Sequence, residues 1–382
     1  MKSSKGFLQS IHNVRKVILW FAICLACVLF QTDVNNIGTI SSLVILTFFY
    51  IHFFLTAKDR KYSHLAMILL VFIFLVLLIS IAYNNNQEEL SKFVIQALMC
   101  VCCFSLVMTD EEFMFTKIVF VVFMCFNGGV CSYSILNNPD GLFLHDSISM
   151  YGTFFDPNFV GIPFVATSVI CLNEALDGRR IFYIPFVFMF SVILLTASRG
   201  SAVGFIIANG LLLVKIFSRR GKNRLLLLII MAVSVVFIYN YVFNNIFMSA
   251  ENVSSLERRY ELQGADNGRF YLWEKGLKLF QEYPLFGKGL VSFYETTGHA
   301  NHNTYMQVLT GTGLVGSLLF LFFVIGIVKN SFKKNYTMFC LLIGFLAQIA
   351  FLDTLSSRFL WPLLSFVIMA PRENVLTTIK RK

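Results

Sequence analysis

The run HLAMILLVFIFLVLLISIAY, residues 64–83, decides the class of fold because it contains no Asp, Glu, Lys or Arg. A helix of about 20 apolar residues is long enough to cross the hydrocarbon core of a bilayer. A surface helix of a soluble protein would instead carry charged residues on the face opposite its apolar stripe. The run is therefore predicted to be a transmembrane helix.

Comparable apolar runs recur along the chain. The 382 residues are 57% hydrophobic and 14% charged, whereas a soluble domain is typically about 45–50% apolar and about 25% charged. We predict an all-α, polytopic membrane protein with a single integral membrane domain over residues 1–382 and about 12 transmembrane helices. The predicted spans are residues 17–32, 37–56, 64–83, 93–108, 118–136, 158–173, 181–197, 200–217, 225–243, 304–328, 336–352 and 358–371.

The basic residues predict the orientation of these spans. With a cytoplasmic N-terminus, 22 of the 31 Lys and Arg lie in cytoplasmic segments, as the positive-inside rule requires. Twelve spans then place both termini in the cytoplasm. The net charge of +10 follows this distribution, so it does not indicate nucleic-acid binding. The first run is followed by QTDVNN and not by a cleavage site of small residues, so no signal peptide is expected.

Cysteines and charged residues narrow the function classes. All nine cysteines lie within or at the ends of apolar runs, which predicts buried thiols and neither disulfides nor zinc ligands. Charged residues are almost absent from the predicted spans. Transporters commonly keep ionisable groups at mid-membrane, so this pattern argues against a transporter.

Two long segments are predicted to face the outside, at 137–157 and 244–303. In the longer one, apolar residues recur at helical spacing, at Phe270, Trp273, Leu277 and Phe280, which predicts an amphipathic helix near 269–283. Such a helix would lie on the outer membrane surface like a lid. A structural helix packed on the bundle is the alternative.

Two arginines and two histidines accompany these outer segments. Arg199 lies at the outer end of a predicted span, and Arg269 begins the amphipathic helix. A guanidinium group binds two phosphate oxygens at once and stays charged, although arginines at such positions also serve as interfacial anchors. His299 and His302 are three residues apart, so a helical turn would place both on one side.

Each histidine has several interpretations. An imidazole titrates near neutral pH and can accept a proton from a hydroxyl group. A zinc pair is the second interpretation, but no third ligand stands nearby in the sequence. A solvated interfacial histidine is the third. The glycines that follow are expected to permit close helix packing, at Gly311, Gly313 and Gly316.

Four segments in this order resemble the O-antigen ligase and polymerase superfamily of bacterial envelope enzymes. They are GTFFDPNFVG (152–161), TASRG (196–200), GRFYLWEKGLKLFQEYPLFGKGL (268–290) and HNTYMQVLTGTGLVG (302–316). The resemblance implies a metal-independent glycosyltransferase without a cofactor and with a membrane fold related to the GT-C class. It also implies a bacterial inner-membrane location, with the active site facing the periplasm or the cell exterior.

The resemblance further implies which residues act. The donor would be an oligosaccharide linked to undecaprenyl pyrophosphate, with Arg199 and Arg269 contacting the diphosphate and His302 acting as base or positioning the acceptor. The expected substrate-binding residues are Asn158, Arg258, Arg259, Trp273, His299, Asn303 and Tyr305. Aromatic residues of the long loop are expected to line a sugar path, at Tyr271, Trp273, Tyr283, Phe293 and Tyr294.

Three functions remain open on the sequence. The first is a polymerase that joins lipid-linked repeat units into a surface polysaccharide, such as O-antigen, capsule or exopolysaccharide. The second is a ligase that transfers the glycan to a lipid A core or a protein. The third is a polysaccharide flippase or transporter. Besides the bilayer and the lipid-linked oligosaccharide, the expected partners are a chain-length regulator and a flippase of the same pathway.

Overall fold

A computed structural model describes residues 63–83, 85–104, 107–137, 148–150, 153–196, 198–218, 269–357 and 359–373. Over these ranges the protein is a helical bundle with one two-stranded β-ribbon. The helices are α1 (His64–Ala82), α2 (Gln87–Cys103), α3 (Asp110–Asn137), α4 (Pro157–Leu176), α5 (Tyr183–Leu195), α6 (Arg199–Ser218), α7 (Arg269–Glu282), α8 (Ser292–Thr297), α9 (Thr304–Lys334), α10 (Tyr336–Gln348) and α11 (Leu360–Met369).

The β-ribbon was not predicted from the sequence. Strand β1 (Ile148–Met150) pairs antiparallel with β2 (Thr153–Phe155). Both strands fall in the segment 137–157 that was predicted as the shorter outer loop. Alternation over three residues is too short a signal to distinguish a strand from a loop.

Four of the described helices are long and apolar enough to cross a membrane: α1, α3, α4 and α9. Four shorter apolar segments lie at 180–195, 199–214, 336–351 and 360–369. This pattern supports a multi-pass membrane protein, whereas the count of 12 spans stays a prediction. Three predicted spans, 17–32, 37–56 and 225–243, lie outside the described residues.

Helix starts follow local capping chemistry. The Ser63 hydroxyl accepts from the backbone N–H of Leu65 at the start of α1. The Asp156 carboxylate accepts from Asn158 at the start of α4, where Pro157 occupies the first turn. These side chains satisfy N–H groups that have no partner inside the helix.

One continuous apolar core joins the helices. Helix α6 packs against α10 and α4, and α1 packs against α9. The indole of Trp361, on α11, is fully buried and meets Phe93 and Phe323 edge-on or tilted. The outward faces of α1, α3 and α9 remain apolar and exposed, with Phe74, Val122 and Phe322 among their exposed side chains. Such faces suit contact with lipid.

Helix α9 contains a break at Gly313, whose backbone has φ 61° and ψ −160°. The segment that follows α7 fills this break. Two of its carbonyls, on Pro284 and Leu285, accept from Leu314 and Val315 at 2.8 and 3.1 Å. Two of its N–H groups, on Lys288 and Gly289, donate to Thr310 and Gly311 at 3.1 and 2.9 Å. These four bonds replace the two intrahelical bonds that the break removes.

The glycines of this region allow backbone-to-backbone contact, and not only helix packing as predicted. A Cβ at Gly313 would lie 2.4 Å from the carbonyl carbon of Leu285, and one at Gly287 would lie 2.5 Å from that of Gly311. Gly316 instead packs against the side chain of Thr312 in its own helix.

Charged side chains gather at the opposite end of the bundle. The buried Glu174 carboxylate forms ion pairs with both Lys117 and Arg179. Nearby, the Thr337 hydroxyl is hydrogen-bonded to Glu373 at 3.0 Å. The C-terminus of α4 and the loop between α9 and α10 lie at this end. It carries lysines and arginines that the sequence predicted to be cytoplasmic, which include Lys117, Arg179 and Lys334.

Candidate active site

The turn at residues 349–355, which connects α10 to α11, lies against the start of α9. The buried Thr304 hydroxyl contacts the Leu352 carbonyl and the Thr354 hydroxyl, the latter at 2.8 Å. The Gln307 side-chain oxygen accepts from the Leu355 backbone N–H at 3.3 Å. These contacts fix the turn to the first helical turn of α9, about 50 residues earlier in the chain.

Asp353 projects from this turn onto the N-terminus of α9. Its carboxylate accepts from the Asn303 backbone N–H at 3.0 Å, and the backbone N–H groups of His302 and Asn301 also bond to it. Burial raises the pKa of the Asp353 carboxyl above its usual range, while the Asn303 N–H and the charge of the nearby His302 imidazole oppose that rise. Three converging N–H groups at a helix N-terminus form a site suited to a negative charge.

His302 has a strained backbone. Its φ of 49° makes it the one non-glycine residue with positive φ among those that the structure describes. The left-handed conformation costs an L-residue with a Cβ roughly 1–2 kcal/mol. Such strain persists where the surrounding contacts impose it and is common at functional sites. Here the backbone N–H of His302 is bonded to Asp353, and its half-buried imidazole is close enough to interact electrostatically with that carboxylate.

Arg269 reaches the same turn from the outer segment. It is the first residue of α7, and its guanidinium carbon lies 5.6 Å from the centre of the Phe351 ring. A planar guanidinium group above an aromatic ring gains a cation–π attraction. Phe351 stands two residues before Asp353, so the turn connects Arg269 to the surroundings of His302.

Arg199 is the first residue of α6, and the residue that follows it lies beside the same aromatic ring. A Cβ on the adjacent Gly200 would be in ordinary van der Waals contact with both Phe351 Cβ and Asn158 Oδ1, at 3.5 Å from each. The Ser198 hydroxyl donates to Asn158 Oδ1 at 2.7 Å. The start of α6 is thus tied to the start of α4, and the exposed Arg199 lies at this end of the bundle.

The structure therefore brings four predicted site residues around one turn: Asn158, Arg199, Arg269 and His302. Trp273 joins them, since its indole N–H donates to the Asn301 carbonyl at 3.3 Å. This contact fixes α7 beside the residues that precede α9. The site lies at the end of the bundle opposite the Glu174 ion pairs.

Other predicted residues have structural partners or lie apart. The Asn303 side chain caps α9 by accepting from Tyr305 and Met306. The Tyr305 hydroxyl donates to the Leu346 carbonyl at 2.8 Å, so it links α9 to α10. His299 is exposed, and its backbone N–H donates to the Thr297 hydroxyl.

The predicted stripe of α7 is divided in the structure. Phe270 and Leu277 are exposed, whereas Trp273 and Phe280 are half-buried. A different face packs on the protein, with Leu272, Gly276 and Leu279 buried. Phe293 is buried against this face, so it does not line an open sugar path, whereas Tyr271 and Tyr294 are exposed. Arg258 and Arg259 lie outside the described residues.

Asp353 was missed by the sequence reasoning. It stands in FLDTLSSRF, between two apolar runs, where one carboxylate looks like an ordinary loop residue. Its sequence separation from His302 hides the contact. The available signal was an acidic residue on a short connection predicted to lie on the same side of the membrane as His302.

A comparison with protein-family models identifies a related domain. The model described as O-antigen ligase matches residues 184–321, which confirms the resemblance seen in the sequence motifs. The matched range runs from α5 into α9 and includes Arg199, Arg269 and His302, whereas Asn158 and Asp353 lie beyond it. No curated protein matches the chain.

Proposed function

We propose that this chain, which carries a domain of the O-antigen ligase family, is a polymerase of lipid-linked oligosaccharide repeat units for a surface polysaccharide. The observation that carries the proposal is the turn at residues 351–353. Phe351 lies under the Arg269 guanidinium group and beside Gly200, the neighbour of Arg199, and Asp353 accepts from the backbone N–H of His302, all at one end of an apolar helical bundle. That combination suits transfer from a lipid diphosphate.

The arginines supply charge for the leaving group. In the proposed reaction the bond between the anomeric carbon and the diphosphate oxygen breaks, and its electron pair leaves with undecaprenyl diphosphate. Arg199 and Arg269 would bind the oxygens on which negative charge grows. Fixed cations are worth most where charge develops in the transition state. Because the donor carries this leaving group, the reaction needs no nucleotide.

His302 and Asp353 would act on the acceptor. A hydroxyl of the next repeat unit attacks the anomeric carbon, and its proton passes to the His302 imidazole. The Asp353 carboxylate then faces the resulting imidazolium and stabilises its charge, while its bonds to the α9 backbone hold the ring in place. General base catalysis of this kind contributes typically 10²–10⁴-fold in rate.

A ligase is the second candidate, because the matching family model is described by that activity. Both reactions use the same donor and the same leaving group. They differ in the acceptor, which is a lipid-linked repeat unit for the polymerase and a lipid A core or a protein for the ligase. We further propose a chain-length regulator and a flippase of the same pathway as partners of this protein.

The test is reconstitution of the full chain with lipid-linked repeat units in detergent, without nucleotide. A polymerase gives a ladder of glycans on the polyprenyl carrier. Arg199→Ala, Arg269→Ala and His302→Asn should each abolish the ladder; Asn tolerates the left-handed backbone at position 302. Arg180→Ala is the matched control, because Arg180 is exposed and lies near the opposite end of the bundle.

Cell-based glycan profiles separate the alternatives. Single repeats capped onto the final acceptor in a deletion strain indicate a polymerase. Long lipid-linked chains that accumulate without surface glycan indicate a ligase. Repeat units retained on the inner leaflet indicate a flippase. Normal ladders from all three site variants would overturn the assignment of the site.

A further inference from the structure

The segment that fills the break in α9 has two large apolar side chains in exposed positions. Leu285 is 58% exposed and Phe286 is 52% exposed. The backbone of this segment is bonded to Leu314 and Val315, which are also exposed. Those two residues begin the exposed apolar face of α9, which continues through Leu318, Leu321, Phe322 and Ile325. Leu285 and Phe286 therefore extend a surface that suits lipid.

Helix α1 locates the edge of the hydrocarbon core. It runs antiparallel to α9, with Leu65 beside Gly326 and the Phe72 ring 5.6 Å from that of Phe320. Its 19 residues span about 28 Å, close to the thickness of the hydrocarbon core. Its C-terminal end comes level with the break, since the Ser80 hydroxyl accepts from the Leu290 backbone N–H.

A count along α9 gives the same edge. The first lysine near its C-terminal end is Lys329, and a span of about 20 residues before it begins near Thr310. Leu314 and Val315 then lie about one helical turn inside the hydrocarbon region. The Leu285 carbonyl accepts from the Val315 backbone N–H, and Phe286 is the next residue, so both lie at the same depth.

The flanks of the segment have the composition of a membrane interface. The Tyr283 ring lies 5.7 Å from the Tyr83 ring in edge-to-face geometry, and the Lys288 ammonium lies 5.4 Å from the centre of the Tyr283 ring. Tyrosines and lysines anchor segments at the level of the lipid headgroups. They stand on both sides of Leu285 and Phe286, as expected for a short excursion into the bilayer.

Backbone hydrogen bonding makes this excursion possible. A non-helical segment at membrane depth is stable only where protein groups satisfy its N–H and C=O groups. The four bonds to the break in α9 supply partners on both arms of the segment, at Pro284, Leu285, Lys288 and Gly289. The Gly287 N–H is bonded to the Tyr283 carbonyl at 3.0 Å, which closes the turn between the arms.

We propose that residues 283–288 form a wedge that inserts Leu285 and Phe286 among the phospholipid acyl chains at the outer edge of the hydrocarbon core. The wedge joins the end of α7 to the break in α9. It therefore fixes the helix that carries Arg269 to the helix that follows His302, at a constant height relative to the bilayer. The occupant of this surface is bilayer phospholipid.

Photocrosslinking tests the wedge without reference to catalysis. The photoreactive residue p-benzoylphenylalanine replaces Phe286 in the full chain, reconstituted in nanodiscs of phosphatidylethanolamine and phosphatidylglycerol. Phe322, exposed on α9, is the lipid-facing control, and Phe293, buried in the protein, is the negative control. Intact-mass spectrometry after irradiation should give phospholipid adducts at position 286 at a yield comparable to position 322, and none at position 293.

The outcomes decide between lipid and other occupants. Absence of a phospholipid adduct at position 286, with adducts at position 322, overturns the wedge. The same label is also irradiated in native membranes. If its adducts there are only with a polyprenyl lipid, the wedge is overturned, because the surface would then be a substrate site. Should the variant at position 286 fail to fold, the same label at Leu285 makes the same test. Because the readout needs no turnover, a failed catalytic proposal leaves its result unchanged.

Discussion

Asp353 accepts a hydrogen bond of 3.0 Å from the backbone N–H of Asn303, which stands 50 residues earlier in the chain. Asn303 is at the same time the N-cap of α9. The bond therefore joins the turn after α10 to the first turn of α9, with His302 strained between them. This relationship organises the candidate site and leads to the first prediction.

We expect Asp353→Asn to abolish chain extension with little loss of folding. The amide oxygen still accepts from the backbone N–H groups, but the variant has no negative charge to stabilise an imidazolium at His302. Ladder formation measures the activity, and a melting curve measures the fold. Near-normal ladders would show that the charge of Asp353 is not needed.

The same variant should change the pH dependence of stability. Because burial raises the native pKa of Asp353, the native state binds this proton more tightly than the unfolded state does. The contribution of Asp353 to the free energy of unfolding is therefore most favourable below the usual Asp pKa of about 3.9. It is lost as pH rises through the raised pKa. Melting temperatures across this range should fall more in wild type than in Asp353→Asn. Parallel curves would contradict the assignment.

Phe351→Leu should weaken the reaction less than loss of Arg269 does. The substitution removes the ring beneath the guanidinium group, which is worth about 0.5–2 kcal/mol, or roughly two- to thirtyfold in kcat/KM. The control is Phe332→Leu, since Phe332 packs on Tyr336 and Phe339 at the opposite end of the bundle. Equal effects of both variants would point to a general loss of packing.

Arg199→Lys distinguishes a bidentate contact from simple charge. Lysine keeps the positive charge but cannot bind two phosphate oxygens through a planar fork. The loss of one charge-assisted hydrogen bond, about 1.5–3 kcal/mol, should lower kcat/KM roughly ten- to hundredfold. Reconstituted ladder assays at several donor concentrations measure it. Activity close to wild type would favour charge alone.

Gly287→Ala and Gly298→Ala form a matched pair. Both glycines have φ 71°, but a Cβ at Gly298 meets nothing within 4 Å, whereas one at Gly287 lies 2.5 Å from the Gly311 carbonyl carbon. Gly298→Ala should cost only the backbone strain of about 1–2 kcal/mol. Gly287→Ala should cost clearly more and also lower activity, because it displaces α9 at its break. Equal melting temperatures would mean that the segment moves freely away from α9.

Glu174→Gln should destabilise the opposite end of the bundle. It leaves the buried Lys117 ammonium without its carboxylate partner, which typically costs about 3–5 kcal/mol. The double variant Lys117→Met with Glu174→Leu should recover much of this loss, since it removes both buried charges. Thermal unfolding in detergent measures both. An equal loss in the single and double variants would show that the ion pair itself does not set the cost.

Much of the architecture was predictable from apolar runs alone. The run at 64–83 became α1 with its end displaced by one residue, because hydrophobic length directly reflects the thickness of the bilayer. The fourth predicted span, 93–108, was displaced: α2 runs from Gln87 to Cys103. Its first turn carries Glu88 and Glu89, and a hydropathy pattern assigns such polar residues to a loop. Acidic residues nevertheless favour a helix N-terminus, because they interact well with the helix dipole.

By itself the sequence determined that the chain is a membrane bundle and which motifs to inspect, since hydropathy and motif order are local properties. Only the tertiary structure decided that Asp353 belongs with His302, that Phe351 lies beside both Arg269 and Gly200, and that PLFGKG bonds into the break at Gly313. These contacts join backbone and side-chain groups far apart in the chain. Their energies depend on distances that no residue pattern contains, because hydrogen bonds and charge interactions act only between groups that folding has already brought together.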